Sequence, residues 1–169
     1  MSRLEYLLAS ALLRLVRLFV SRLPTHPDRV VLATARVATL DGNLLHIHRA
    51  ITARHPELEL VLLLEPYSYG WRGKVAYLVR LMRGMYHVQT ARLVVVDNAY
   101  LPIHVAPHRR TTTVVQVWHA AGAIKRFGVD TARPLDEPQR TFLHRHYDYV
   151  VVGGEAVREP YAAALRTPV

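Results

Sequence analysis

The sequence predicts an α/β fold: a Rossmann-like, mostly parallel sheet preceded by an amphipathic N-terminal helix. Three observations lead there. Five short apolar runs read as strands, segments with helical spacing separate them, and the run at residues 57–64 is nearly all apolar in its later half. Strands that alternate with helices build parallel sheets, and a strand lacking polar alternation is one covered on both faces.

The first element, residues 1–23, is apolar except where Arg14, Arg17 and Arg22 interrupt it, so no uninterrupted run of ~20 apolar residues exists to cross a bilayer. At ~100° per residue, Arg3, Ser10, Arg14, Arg17 and Ser21 fall on one narrow stripe, with leucine, valine, phenylalanine and alanine around the rest of the wheel. Such a helix is expected to lie in the headgroup plane, with Arg3, Arg14 and Arg17 reaching anionic phosphates. The alternative is a helix packed on the domain core or on a partner chain. The charges sit inside the apolar part and no Ala-x-Ala site follows, which argues against a signal peptide.

Residues 24–28, with Pro24 and Pro27, read as a linker, and residues 29–169 as one Rossmann-like domain. Its first strand is residues 29–34. Asp41 or Asn43 then caps a helix running to about Arg54. Strand two is 57–64, and a helix from Trp71 to about Met85 presents Val75, Leu78, Leu81 and Met82 on one side. Strands three and four are 91–96 and 112–118. Asp136-Glu137-Pro138 opens another helix, residues 147–152 form strand five, and a last helix follows Gly153-Gly154 to about Leu165.

At 169 residues the chain accommodates one well-buried domain, and a hydrophobic content of 51% excludes a disordered one. The net charge of +9 comes almost wholly from arginine and favours an anionic partner such as lipid headgroups or phosphate-bearing substrates. Nucleic acid is not expected, because aromatics are not interleaved with the basic residues and no binding module is recognisable. Cysteine is absent. The pairs His46/His48 and His144/His146 diverge on the helices expected there, so no metal site is predicted. Thr34-Ala35-Arg36 after strand one lacks Gly-x-Gly-x-x-Gly, so no dinucleotide cofactor is expected.

The densest chemistry lies in Gln116-Val117-Trp118-His119-Ala120-Ala121-Gly122-Ala123-Ile124-Lys125-Arg126-Phe127-Gly128. A histidine and a lysine sit on a small-residue loop directly after strand four, where ligands of open α/β sheets bind. His119 can take a proton near neutral pH, or be a hydrogen-bonded structural residue. Lys125 can neutralise phosphate or be a solvated lysine. Asp97 and Asn98 end strand three at the same edge; they either orient His119 or bind hydroxyls, or they form a strand-ending turn. Gly122 and Gly128 read as backbone necessities, and Trp118 as core.

This segment resembles the Trp-His-Ala-Ala-Gly-x-x-Lys-x-Phe-Gly form of the signature of the CDP-glycerol glycerophosphotransferases, the teichoic acid glycerol-phosphate primase and polymerase type. Asp97-Asn98-Ala99-Tyr100-Leu101-Pro102-Ile103 is similar to the family's Asp-Asn-Tyr-Tyr-Pro-Pro-Ile, and Asp130 matches its Gly-x-Asp. The resemblance implies a GT-B arrangement of two Rossmann-like domains, of which this chain holds only the N-terminal, acceptor-side half. The C-terminal donor domain is absent, and the chain is expected to be inactive alone. It implies transfer of glycerol phosphate from CDP-glycerol to a lipid-linked acceptor hydroxyl at the cytoplasmic face of the cell membrane. His119 would be the base, with Lys125 and the Ala121-Gly122 backbone on the phosphates and Asp97 and Asn98 on the acceptor. The competing expectation is a non-catalytic, membrane-associated accessory or relic domain that binds acceptor or a partner subunit. The motif distinguishes neither these two, nor glycerol from ribitol donors, nor priming from polymerisation.

Overall fold

A computed structural model describes residues 2–120, 122–123, 125–131, 140 and 143–169. Its centre is a five-stranded, all-parallel sheet of β1 (His26–Thr34), β2 (Glu59–Leu64), β3 (Ala91–Val96), β4 (Thr113–Gln116) and β5 (Tyr149–Val150), in the order β2-β1-β3-β4-β5. The chain winds outward from β1 to β2, then crosses to β3 on the other side. The order therefore reverses between β1 and β3, the place where open α/β sheets bind their ligands.

Both faces are covered, as the unbroken apolar runs predict. Val31 and Ala33 of β1, with Val94 and Val96 of β3, pack on Val88 of α3 (Gly70–Thr90) and Ile103 of α4 (Leu101–His104). Val30, Leu32 and Val95 point the other way, onto Leu44, Ile47 and Ile51 of α2 (Gly42–Arg54). Of the two caps the sequence allows for α2, Asp41 is the one used: its side chain accepts from the Gly42 N–H at 2.7 Å.

α3 continues past Met85 to Thr90 and contains Gly84, a residue that weakens helices. A Cβ at Gly84 would lie 2.1 Å from the Tyr100 hydroxyl, so the glycine admits that side chain. The same hydroxyl donates to Glu65 Oε2 at 2.9 Å in a fully buried pair. Burial raises the Glu65 carboxyl above its ordinary value, which the Tyr100 hydrogen bond and the nearby Arg83 and Arg80 partly offset.

α1 (Arg3–Val20) packs on α3, with Ala9 and Leu13 against Tyr77, Leu81 and Met85. Its polar stripe runs along the seam with α4. Ser10 is buried, Arg14 Nε donates to Val105 O at 3.1 Å, and Arg17 Nε to Pro107 O at 2.7 Å. The apolar side faces out instead, with Leu4, Leu8, Leu15, Leu18 and Phe19 each at least half exposed. The helix is thus amphipathic as expected but turned over: Arg14 and Arg17 satisfy backbone carbonyls of the same chain, and only Arg3 stands clear at the first turn. No described helix is long and apolar enough to cross a membrane.

Three further expectations change. Residues 24–28 are not a free linker, because β1 already starts at His26, which pairs with Ala91. β4 ends at Gln116 and β5 is only two residues long. His144 and His146 lie on positive-φ turns (54° and 64°) rather than on a helix. The helix expected to open at Asp136 falls outside the described residues. A last helix, α5 (Arg158–Leu165), closes the chain as predicted.

An exposed Gly→Ala change in a helix stabilises by about 1 kcal/mol. Gly84→Ala is expected to do the opposite, costing about 1–3 kcal/mol through the displaced Tyr100, read as a lower urea midpoint.

Candidate active site

β4 delivers the chain to the carboxyl edge of the sheet and releases it at Gln116. The last bonds across that edge are Val117 N–H to Val96 O at 2.8 Å and Val151 N–H to Gln116 O at 2.8 Å. Trp118 then turns into the left-handed region, with φ 51°. A bulky residue there is strained and persists only where its surroundings hold it. They do so at both ends of the residue: its N–H donates to Gln116 Oε1 at 2.8 Å, and its carbonyl accepts from Asn43 Nδ2 at 2.8 Å. The indole is buried against Phe127, ring centroids 5.1 Å apart, and Phe127 in turn meets Tyr161 of α5.

The turn throws His119 out to the surface, its ring 4.5 Å from the indole, with Nδ1 3.2 Å from the Asp97 carbonyl oxygen. A carbonyl only accepts, so this contact places the hydrogen on Nδ1 and leaves the lone pair on Nε2. An exposed imidazole with Nδ1 anchored and Nε2 open has the geometry of a general base.

Asp97 meets His119 through its backbone and not its carboxylate. The carboxylate is buried, with Oδ2 3.8 Å from Arg36, and Oδ1 has no hydrogen-bond partner among the described residues. Arg36, on the turn after β1, also lies 4.0 Å from Asp41. The Asn98 side chain accepts from the Ala99 N–H at 2.8 Å, which is the strand-ending turn. Lys125 is exposed and lines a cavity of about 340 Å³ with Arg126, Asp130, Pro160 and Ala164, to which His119 does not contribute. Gly122 is half-buried, and its neighbour Ala121 is outside the described residues. Gly128 is a steric necessity: its φ is 60°, and a Cβ would sit 2.1 Å from Ala164 O. Among the described residues no group of three or more His, Cys, Asp or Glu could hold a metal ion.

Beneath the site lies a polar network that the sequence reading did not single out. Gln116 Nε2 donates to Asn98 O at 3.3 Å and to the Tyr147 hydroxyl at 3.0 Å. That hydroxyl also contacts His104 Nε2 at 2.8 Å and His144 Nδ1 at 3.1 Å. Burial keeps both histidines neutral: His104 titrates well below the ordinary range, and His144 is pushed down to about 4. Gln116 carried a signal that could have found it, a lone amide ending an apolar strand.

A chain-wide comparison then assigns the family. Residues 15–167 match CDP-glycerol:poly(glycerophosphate) glycerophosphotransferase. The chain belongs to that family. It is 32% identical over 155 residues to the teichoic acid ribitol-phosphate primase of Bacillus spizizenii, covering 89% of this chain and 40% of the primase. It is 28% identical over 82 residues to the teichoic acid glycerol-phosphate primase of Bacillus subtilis, covering 46% of this chain and 22% of that one. The chain thus spans less than half the length of these relatives. Its fold matches that of the wall teichoic acid polymerase TagF with a TM-score of 0.62 at 12% identity, covering 99% of this chain and 46% of TagF. A second TagF structure, soaked with CDPG, superposes at 0.61.

The buried histidines set an acid limit. His144 has its folded-state pKa below the ordinary 6.5, so the unfolded chain binds the extra proton between pH 6.5 and about 4. Stability is therefore present above pH 6.5 and lost as pH falls through that window, by up to about 3 kcal/mol for this group. His104 acts in the same direction. Urea midpoints at pH 7 and pH 4.5 should differ accordingly, and His144→Gln should flatten the difference.

Proposed function

We propose that this chain is the N-terminal, acceptor-side half of a CDP-polyol-phosphate transferase of teichoic-acid-type polymer synthesis, with His119 as its general base. The observation that carries the reading is the exposed His119 at the carboxyl edge of the parallel sheet, with Nδ1 anchored on Asp97 O and no partner at Nε2 among the described residues. The acceptor hydroxyl gives its proton to Nε2 as its oxygen bonds to the phosphorus of the polyol phosphate. The pyrophosphate P–O bond breaks, and CMP leaves with that electron pair. CDP-glycerol is the donor the family description points to, and the likeness to a ribitol-phosphate primase keeps CDP-ribitol beside it. The donor site belongs to a second domain or partner subunit, in a GT-B-like pairing across the edge that bears His119.

The acceptor is lipid-linked and the enzyme peripheral on the cytoplasmic leaflet. The outward apolar side of α1 (Leu4, Leu15, Leu18, Phe19) supports the docking, with Arg3 at its rim. Deleting residues 1–23 would remove Leu13 from the core, so point substitutions are the proper test. The triple variant Leu4→Glu, Leu18→Glu, Phe19→Glu should lose at least tenfold in binding to phosphatidylglycerol vesicles and still unfold cooperatively. Unchanged binding would reject this docking face.

In an enzyme containing both halves, His119→Ala should cut transfer by ~10²–10⁴-fold with an unshifted melting curve; retained turnover would remove His119 from the chemistry. The accessory-domain alternative keeps the same motif but binds acceptor or a partner subunit without turnover. Full turnover in trans, on adding a separately expressed donor half, would decide against it.

A further inference from the structure

One remote side chain grips the backbone on both sides of the residue that precedes His119. Asn43, in the first turn of α2, has its side-chain nitrogen 2.8 Å from the Trp118 carbonyl oxygen and 3.3 Å from that of Val117. Carbonyls only accept, so the atom that faces them is Nδ2 and both contacts are N–H donations. A peptide unit is planar. The Val117 oxygen therefore marks the plane before Trp118, and the Trp118 oxygen marks the plane after it. Together those two planes set φ and ψ of Trp118, whose φ of 51° lies in the left-handed region. Gln116 reaches only the first plane, through the Trp118 N–H. The second plane, the Trp118–His119 peptide from which the imidazole hangs, is held by Asn43.

The loop that carries Asn43 also reaches the other anchor of the ring. His119 Nδ1 is 3.2 Å from Asp97 O. The Asp97 carboxylate lies 3.8 Å from Arg36, and Arg36 lies 4.0 Å from Asp41, the N-cap of α2. Residues 36–43 thus grip the backbone before His119 by hydrogen bonds, and the residue that anchors its ring by charge. They do so where the order of the sheet reverses. Asn43 itself is exposed and adds nothing to the apolar core, and an aspartate in its place suits the positive end of a helix. Its function is therefore separable from the stability of the fold.

We propose that Asn43 is a positioning residue: by clamping both peptide planes of Trp118 it keeps His119 Nδ1 on Asp97 O, with the hydrogen on Nδ1 and the lone pair on Nε2. The catalytic consequence rests on the transferase reading above, but the placement of the ring is tested without turnover. In the isotopically labelled 169-residue chain, the ring nitrogen resonances of His119 at the alkaline end of its titration should show hydrogen on Nδ1. Asn43→Asp keeps the shape but removes the donor and sets a carboxylate against two carbonyls. Both it and Asn43→Ala should move hydrogen to Nε2 in a chain that still folds. Gly84→Ala, which loosens the fold elsewhere, should leave the hydrogen in place. In an enzyme containing both halves, Asn43→Ala should lower kcat by ~10–10²-fold and leave KM for the donor unchanged. Hydrogen on Nε2 in the unaltered chain, no change in either Asn43 variant, an equal change in Gly84→Ala, or an unchanged kcat would each overturn the proposal. His119→Ala decides the catalytic reading separately: retained turnover there would remove it while the effect of Asn43 on the ring still stood.

Discussion

The peptide units on either side of Trp118 impose the constraint on which the site depends. A tryptophan at φ 51° costs on the order of 1–3 kcal/mol, and the fold offsets this with an N–H bond to Gln116, a carbonyl bond from Asn43 and burial of the indole against Phe127. These supports come from three separated parts of the chain: the end of β4, the first turn of α2, and the loop that α5 backs. Gly128 is part of the same support, since only a residue without Cβ lets that loop close on Ala164. His119 is displayed on the surface because the residue before it is fixed from both sides.

Tyr147 extends this support downward. Its hydroxyl has one hydrogen to donate and two lone pairs to accept with. Gln116 donates to it, so of His104 and His144 one can donate and the other accept, and the ring that accepts must be neutral. Burial enforces that neutrality. The contrast with His119 is one of burial: two rings are enclosed where water is excluded, and the third is exposed. His104 and His144 thus order the scaffold, while His119 lies at the surface.

Much of the fold was legible because its strands are continuous apolar runs, which occur where helices cover both faces. All five strands overlap those runs, although β1 starts earlier than expected and β4 and β5 are shorter. The orientation of α1 was not legible. A helical wheel identifies a polar stripe but not which side meets the protein, and the carbonyls of Val105 and Pro107 that attract Arg14 and Arg17 belong to α4 and its exit, hidden in a proline-containing segment of seemingly irregular sequence. At the site, His119 was readable from its place after β4, whereas its contact with Asp97 runs through a main-chain oxygen, which no residue type encodes. Asn98 fell to the turn that Asp-Asn favours unaided. Gln116 and Asn43 act on backbone atoms far away in sequence, and such partners become visible only once the sheet has brought β4 beside β3 and α2 over its edge.

The distribution of cations bears on how far this half can carry the chemistry by itself. A departing CMP develops negative charge that needs fixed positive groups or N–H dipoles close by. Among the described residues, Arg36 approaches the His119 edge but sits between the carboxylates of Asp97 and Asp41, which already draw on its charge. Lys125 lines a cavity against α5 to which His119 does not contribute. Among the described residues, His119 and these cations are therefore not assembled around one point. On the proposed function, the His119 edge would meet a second surface that brings such groups, and proton removal would be coupled to closure of the two around the donor. Closure of that kind would keep water from the activated phosphate until the acceptor hydroxyl is in place.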